Sequence, residues 1–366
     1  MPNQLNHPAT KLLALLTVAS LLWLRNTTTT IEWVAPEPID YPTTTQPLYE
    51  NQPLPALTRN VHASQAVPLP DGRIAVFWFG GTKEGHRDVQ IYRQILKDGQ
   101  PQGEPEPILS ADQLADRLGI YVKNLGNPVP FYHNGQLHLF VVSVALGGWA
   151  TAQVSHLVSD DLGDHWHNAR QPILSPFFNQ STLVRTTPRV TREGFIVPAY
   201  FEQGRINPMW LHFDDHGQFL YSETLPVEGL QPAVAPSSAG EADLLIRPLQ
   251  TGPVLHIESD GHGEIERPES VNPPQNPKSA VAVLPLNDQE WLMAHNPGKR
   301  RDSLVVSHTR DGGESWQPLK IIVREDGERF SYPSLTVDDD GVFHLFYTHK
   351  RERIQYVRFN WAGLTE

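Results

Sequence analysis

The sequence predicts an all-β protein whose residues 56–362 form a six-bladed β-propeller. The 33 prolines and 26 glycines are spread along the 366-residue chain, which favours many short elements joined by turns over long helices. A turn followed by an apolar run recurs at spacings of 46 to 63 residues, a period typical of four-stranded blades. The six turns lie at Gly72, Gly135, Gly194, Gly240, Asp288 and Gly341. Six turns indicate six blades.

Two turns share a stronger pattern, "SDDLGDHWH" at 159–167 and "TRDGGESWQ" at 309–317. In each, the aspartate can accept backbone N–H bonds, the glycine can adopt a positive φ, and the tryptophan can pack between sheets. We interpret both as the same structural turn, on the second and fifth blades, and assign them no catalysis. "ADQLADRLG" at 111–119 is the one stretch that looks helical, and it falls in the connection between the first two blades.

The N-terminus resembles an export signal. Leu12–Leu24 is an apolar run behind Lys11, short for a bilayer-spanning helix, so residues 1–25 are interpreted as a signal peptide or an uncleaved membrane anchor. Residues 26–55, rich in Thr and Pro, are interpreted as a tether. We therefore expect an exported protein of the periplasm or cell envelope, with residues 12–24 as the candidate membrane attachment.

Composition excludes several classes of function. The formal net charge of −12 argues against nucleic acid as a partner. The absence of cysteine excludes disulfides, thiolate metal sites and a cysteine nucleophile. No His-Glu-x-x-His motif is present, and "DDDG" at 338–341 lacks the spacing of a calcium loop, so no metal or cofactor is expected. Nothing in the sequence indicates the oligomeric state.

Three longer strings carry a family resemblance: "FWFGGTKEGHRDVQIY" (77–92), "NPGKRRDSLVVSHTRDGGESW" (296–316) and "SYPSLTVDDDGVFHLFYTHKRERIQYVRF" (331–359). With the two Asp boxes, they resemble the sialidase (neuraminidase) superfamily, in its bacterial branch with bacterial neuraminidase repeats. The resemblance implies an exo-acting glycosidase that removes a terminal acidic sugar, such as sialic acid, from a glycan or glycoconjugate. Two alternatives are a non-catalytic carbohydrate-binding propeller and a hydrolase of a different sugar.

The resemblance also implies roles for particular residues. Tyr332, in "YPSLTVDDDG", matches the nucleophile, and a tyrosine suits a sugar whose anomeric carbon bears a carboxylate that would repel Asp or Glu. Arg247 and Arg301 match the second and third arginines of the family's carboxylate clamp, with Arg300 as the register alternative to Arg301. An arginine in the apolar run "DLLIRPL" should also be costly without a partner or ligand.

Two positions depart from the family pattern. The clamp's first arginine falls on His62, so either His62 binds the anion as a pH-dependent donor or Arg59 fills the space. The glutamate that assists the tyrosine falls on Gln231, which cannot accept a proton, and Glu202 is the candidate replacement.

The acid/base residue is expected in the loop after the first blade's inner strands. There, "KEGHRDVQIY" offers Glu84 and Asp88, and the family pattern favours Glu84. Either carboxyl could protonate a leaving glycosidic oxygen if burial raised its pKa.

Overall fold

A computed structural model of the protein describes residues 30–41, 46–174, 181–260, 265–266 and 272–366. The predicted signal or anchor, residues 1–25, lies outside the described residues. None of the helices in the described part of the chain has the length and apolar character needed to cross a membrane.

The described strands form six blades arranged around a central channel, which confirms the predicted fold class. Blade 1 contains β2 (Asn60–Pro68), β3 (Ile74–Gly81), β4 (Gln90–Lys97), β5 (Gln100–Pro101) and β6 (Glu106–Ser110). Blade 2 contains β7 (Asn124–His133), β8 (Gln136–Val144), β9 (Ala152–Ser159) and β10 (His167–Arg170). Blade 3 contains β11 (Thr182–Val184), β12 (Arg189–Thr191), β13 (Gly194–Phe201), β14 (Asn207–Asp214) and β15 (Phe219–Thr224).

The other three blades continue the pattern. Blade 4 contains β16 (Leu230–Pro236), β17 (Ala242–Arg247), β19 (Leu255–Ser259) and β20 (Ile265–Glu266). Blade 5 contains β22 (Ala282–Pro285), β23 (Trp291–His295), β24 (Ser303–Thr309) and β25 (Gln317–Arg324). Blade 6 contains β26 (Phe330–Val337), β27 (Phe343–His349), β28 (Arg353–Phe359) and β1 (Tyr49–Pro53). A separate pair links β18 (Thr251–Pro253) to β21 (Gln275–Pro277).

The turns predicted from the sequence separate the first two strands of a blade. Gly72 lies between β2 and β3 and Gly341 between β26 and β27, both at positive φ, which glycine adopts without steric cost. The predicted helix is α1 (Ala111–Leu118), between blades 1 and 2, with Ser110 as its N-cap and Gly119 as its left-handed C-cap. A short helix α2 (Trp361–Thr365) follows the last strand.

The hydrophobic core lies between neighbouring blades. Every residue of β3 is buried because both faces of this strand pack against other sheets. Phe195 and Phe213 stack with ring centroids 5.2 Å apart, and Phe140 meets Phe213 edge-on across the interface of blades 2 and 3. Such interfaces hold each innermost strand at a fixed distance from the channel axis.

The N-terminal segment predicted as a tether takes part in the fold where it is described. Strand β1, residues 49–53, pairs antiparallel with β28 and completes blade 6. Trp33 is buried and packs edge-on against Trp210, 5.5 Å between ring centroids. Apolar residues in this segment thus gain burial that a solvated Thr/Pro linker would lack.

The two Asp boxes adopt the same hydrogen-bonded turn, in blades 2 and 5 as predicted. In blade 5, Asp311 Oδ1 accepts from Thr309 Oγ1 (2.7 Å) and from Ser315 N (2.9 Å), and Trp316 Nε1 donates to Gly313 O (3.1 Å). In blade 2, Asp161 Oδ1 accepts from Ser159 Oγ and His165 N, each at 2.8 Å. The aspartate of each box therefore stabilises its own turn by hydrogen bonds within it.

Replacing the blade 5 aspartate should destabilise the protein. Asp311→Ala leaves the Ser315 N–H and the Thr309 hydroxyl without their acceptor, which should lower the free energy of unfolding by about 1–3 kcal/mol. Chemical denaturation measures the loss. Asp339→Ala, in the exposed turn of blade 6, serves as the control; equal effects of the two variants would contradict the structural role of the box.

Buried histidines should make the fold sensitive to acid. Burial lowers the pKa of His138, His212 and His295 each to about 4, from 6.5. A depressed folded-state pKa means that the unfolded chain binds more protons below about pH 6.5, so stability falls as the pH drops from there towards 4. We expect the melting temperature to fall on the order of 10 °C between neutral pH and about pH 5. His212→Gln should reduce this dependence and His216→Gln, on an exposed turn, should not; an unchanged melting temperature across that range would contradict the assignment.

Candidate active site

Irregularities in the innermost strands cluster at one end of the channel. The register of β2 shifts between His62 and Gln65, that of β16 between Leu230 and Ala233, and that of β26 between Ser331 and Ser334. Each shift is a β-bulge, a feature that redirects side chains and is common beside active sites.

Within these bulges, three residues other than glycine hold a left-handed backbone. They are Ala63 (φ 56°), Gln231 (φ 50°) and Tyr332 (φ 55°). This conformation costs on the order of 1 kcal/mol or more for each residue and persists only where the surroundings enforce it. Two of the three are positions that the sequence singles out, which supports a functional site at this end.

A cavity of about 120 Å³ opens at this end between five blades. It brings together most of the residues predicted for the site: Glu84, Glu202, Gln231, Arg247 and Tyr332. Tyr200 adds a second phenol, and Val142, Trp149 and Leu183 form an apolar wall. Residues far apart in sequence thus converge here, as propeller geometry predicts.

Gln231 fixes the orientation of Arg247. Its Oε1 accepts from Arg247 Nη1 at 2.9 Å, and its Nε2 donates to the Tyr200 hydroxyl at 3.2 Å. Gln231 is 1% exposed, so its amide makes both hydrogen bonds from a buried position. The amide occupies the place expected for a carboxylate, and it cannot take a proton there.

Arg301 does not line the cavity, but it lies close enough to Arg247 and Tyr332 to interact with their charges. Arg301 donates to the Lys278 carbonyl, and burial, together with the charge of Arg247, lowers its pKa to about 10. Its guanidinium therefore stays charged at neutral pH. Arg300 is two-thirds exposed and pairs with Asp302 at 2.7 Å on the surface. The structure thus favours Arg301 over its register alternative.

His62 supports Tyr332 and carries no charge at neutral pH. The two rings meet edge-on with centroids 4.4 Å apart, and His62 Nδ1 bonds Thr348 Oγ1 at 3.0 Å. Burial, and then the charges of Arg351 and other arginines, hold the pKa of His62 well below its usual value. The expectation of a protonated anion donor at this position does not fit these surroundings. Arg59 is exposed and does not line the cavity.

Arg351 was not singled out from the sequence, and it lies beside His62. It occupies the turn between β27 and β28, where Lys350 and Arg351 are both left-handed. Its carbonyl accepts from Val61 N at 3.0 Å, and its guanidinium pairs with Glu84. Arg351, from blade 6, thus places a cation near position 62, where the family pattern has its first arginine. The signal was present in "THKRER", but a basic turn has no pattern that indicates a binding role.

The structure separates the two carboxylates of the blade 1 loop. Glu84 lines the cavity, whereas Asp88 is exposed and accepts from Thr82 N at 2.9 Å. The hydrogen bond from the Thr82 side chain holds the pKa of Asp88 below its usual value. Asp88 therefore supports the loop that carries Glu84.

Glu202 is the second carboxylate of the cavity. Burial raises its pKa, and Arg247 and Lys278 act in the opposite direction. A raised pKa suits a group that exchanges protons near neutral pH. Among the described residues, no hydrogen bond joins the Tyr332 hydroxyl to Glu202 or to Glu84.

Arg185 is the residue that sequence reasoning missed most clearly. Its guanidinium carbon lies 5.1 Å from the centroid of the Tyr332 ring, and the side chain is 1% exposed. It sits in "LVRTTP", an apolar context like that of Arg247, so the same burial criterion would have found it.

A larger cavity, about 490 Å³, lies at the opposite end, between blades 4 and 5. Its lining is acidic and includes Glu241, Asp243, Glu258 and Asp311, which would repel an anionic ligand. At its edge Asp243, His256 and Glu258 bring ligand atoms within 4.8 Å of one another. His256 Nε2 already bonds Asp243 at 2.6 Å, so we assign no metal there.

Comparison with known proteins supports the fold and the family. Residues 72–345 match the family model described as a BNR repeat-like domain, and the chain belongs to that family, within the sialidase-like superfamily. No curated protein matches the chain in sequence.

Solved structures share the fold at low sequence identity. A Hadza microbial sialidase aligns with a TM-score of 0.68 and 15% identity, over 83% of this chain and 66% of its own. A Dyadobacter fermentans protein of unknown function aligns with a TM-score of 0.69 and 14% identity, over 85% and 98%. The Trypanosoma rangeli sialidase, solved as a covalent intermediate with 2,3-difluorosialic acid, aligns with a TM-score of 0.62 and 14% identity, over 82% and 54%. The chain therefore spans less than two thirds of either sialidase.

Proposed function

We propose that this protein is an exo-acting glycoside hydrolase of sialidase type, which removes a terminal acidic sugar from a glycan. One observation carries the proposal: a single cavity contains Tyr332, Glu84, Glu202 and Arg247. These side chains supply a nucleophile, two proton carriers and an anion-binding fork. The sugar that we favour is sialic acid.

Positive charge at this cavity contrasts with the rest of the molecule. The chain has a formal net charge of −12, yet Arg247, Arg301 and Arg351 gather around Tyr332 and His62. Planar guanidinium groups bind carboxylates with two parallel hydrogen bonds. In the proposed complex these three arginines hold the carboxylate of the sugar, and Arg351 replaces the clamp arginine that the sequence lacks at position 62.

The chemistry proposed for this cavity follows from its tyrosine nucleophile. Tyr332 passes its proton to Glu202, its oxygen attacks the anomeric carbon, the glycosidic C–O bond breaks, and Glu84 protonates the leaving oxygen. Water then attacks the same carbon, Glu84 accepts its proton, the bond to Tyr332 breaks, and the phenolate recovers its proton from Glu202. Two displacements retain the configuration of the sugar. Glu202 serves as the proton carrier that Gln231 cannot be.

A non-catalytic carbohydrate-binding propeller is the second candidate. Two observations favour it: an amide stands at position 231, and among the described residues no carboxylate bonds the Tyr332 hydroxyl. A hydrolase of a different acidic sugar is a variant of the first proposal. Product release distinguishes both hydrolases from a binding protein.

Turnover assays test the hydrolase directly. The purified protein should release sugar from at least one member of a panel of α-sialosides and other acidic glycosides. Tyr332→Phe should lower kcat by at least on the order of 10³-fold, because the nucleophilic oxygen is gone while the ring contacts remain. Binding without product release, by correctly folded protein, would instead establish the carbohydrate-binding propeller.

Two adjacent arginines provide a matched test of anion binding. Arg301→Met should weaken binding of an acidic sugar about 10- to 100-fold, because it removes a charge-assisted contact. Arg300→Met removes the same charge from the neighbouring surface position and should leave the dissociation constant within about twofold. Calorimetric titration with sialic acid measures both. Equal losses in the two variants would point to a general charge effect and contradict the assignment of Arg301.

A further inference from the structure

Arg185 is buried without a counter-charge. The chain from β11 to β12 carries it into the interior, where only 1% of the residue is exposed. Its Nη2 donates to the Pro333 carbonyl at 2.8 Å, whereas Nε and Nη1 have no hydrogen-bond partner in the described part of the chain. No ion pair to Arg185 occurs among the described residues. A buried, unpaired charge is costly and is therefore rarely retained without a role.

The guanidinium of Arg185 is held against Tyr332. It bonds the carbonyl of Pro333, the next residue along, and its central carbon lies 5.1 Å from the Tyr332 ring centroid. The Gln65 side chain in turn donates to the Arg185 carbonyl, which fixes the backbone. Burial lowers the pKa of Arg185 only to about 10, so it stays charged at neutral pH.

The amide at position 231 gives the Arg185 charge a possible role in the ionisation of Tyr332. A glutamate there could accept the phenol proton, but the chain has Gln231, which bonds Arg247 and Tyr200 instead. A guanidinium cannot accept a proton. It can stabilise negative charge on a neighbouring oxygen, and a cation beside an aromatic face does so most strongly when water is excluded.

We propose that Arg185 is a positioning residue that stabilises Tyr332 as a phenolate once the phenol proton has passed to Glu202. This inference rests on the proposed function. The phenolate oxygen bonds the anomeric carbon as the glycosidic C–O bond breaks. In the second displacement the C–O bond to Tyr332 breaks and its electron pair returns to the phenolate, beside the same fixed charge.

Arg189 offers a matched control. This second arginine, four positions along, is partly buried, and it donates to the carbonyls of Val234 (2.9 Å) and Val283 (3.3 Å). No contact joins its guanidinium to the Tyr332 ring in the described structure. Loss of Arg189 therefore removes a partly buried charge from the same segment without changing the cation at the phenol.

Tyrosine nitration by tetranitromethane, read by peptide mass spectrometry, tests the proposal without any substrate, because the phenolate is the form that reacts. At neutral pH, Arg185→Met should slow nitration of Tyr332 about tenfold or more, whereas Arg189→Met and Arg185→Lys should stay near the wild-type rate. Equal rates of Tyr332 nitration in wild type, Arg185→Met and Arg189→Met would overturn the proposal.

Wild-type protein supplies a second measurement if Arg185→Met does not fold. Tyr132 is partly buried, like Tyr332, and has no cation over its ring among the described contacts. At the same pH, nitration of Tyr332 should be faster than that of Tyr132. The reverse order would overturn the proposal. If nitration behaves as expected but no acidic glycoside is hydrolysed, the proposed function fails and the phenolate assignment stands.

Discussion

Closure of the ring by one short strand determines where the site residues lie. The β1–β28 pairing joins the two ends of the propeller, and Leu48 N donates to Asn360 Oδ1 at 2.9 Å across 312 positions of sequence. With the ring closed, blade 1 packs against blade 6. His62 then reaches Thr348, 286 positions away, and Glu84 reaches Arg351, 267 positions away. An open ring would separate Tyr332 from His62 and leave the cavity without one wall.

The closed ring also divides charge between its two ends. Arginines from blades 3 to 6 surround the channel mouth that holds Tyr332, while carboxylates line the cavity between blades 4 and 5 at the other end. An acidic ligand is attracted to the first and repelled by the second. The bulges in the innermost strands contribute to this arrangement. They contain the left-handed residues Gln231 and Tyr332, which lie at the inner edge where the arginines converge.

Much of this organisation could be predicted from the sequence, because it depends on local chemistry. Evenly spaced turns and apolar runs indicate six blades, and an arginine in an apolar run points inward, as Arg247 does. The N-terminal segment was harder to interpret. A Thr/Pro-rich composition is typical of linkers, yet Trp33 and β1 gain partners that only the folded propeller provides.

The contacts of the site could not be predicted because they depend on side chains that meet across blades. Arg185 contacts a ring 147 positions further along the chain, and Arg351 meets Glu84 only after ring closure. The departures at positions 62 and 231 were visible in the sequence, but the residues that we propose compensate for them were not. The apolar context of Arg185 indicates its burial, but nothing in one sequence indicates that it lies under a phenol, and a basic hairpin turn has no signature either.

The central claim is that the Tyr332 oxygen forms a covalent bond with an acidic sugar, and trapping that bond tests it most directly. The protein would be incubated with 2,3-difluorosialic acid, the compound present in the covalent intermediate of the Trypanosoma rangeli sialidase, and then digested and analysed by mass spectrometry. The account predicts one added sugar on the peptide that contains Tyr332 and none in Tyr332→Phe. Folded protein without an adduct, or an adduct on another residue, would contradict it.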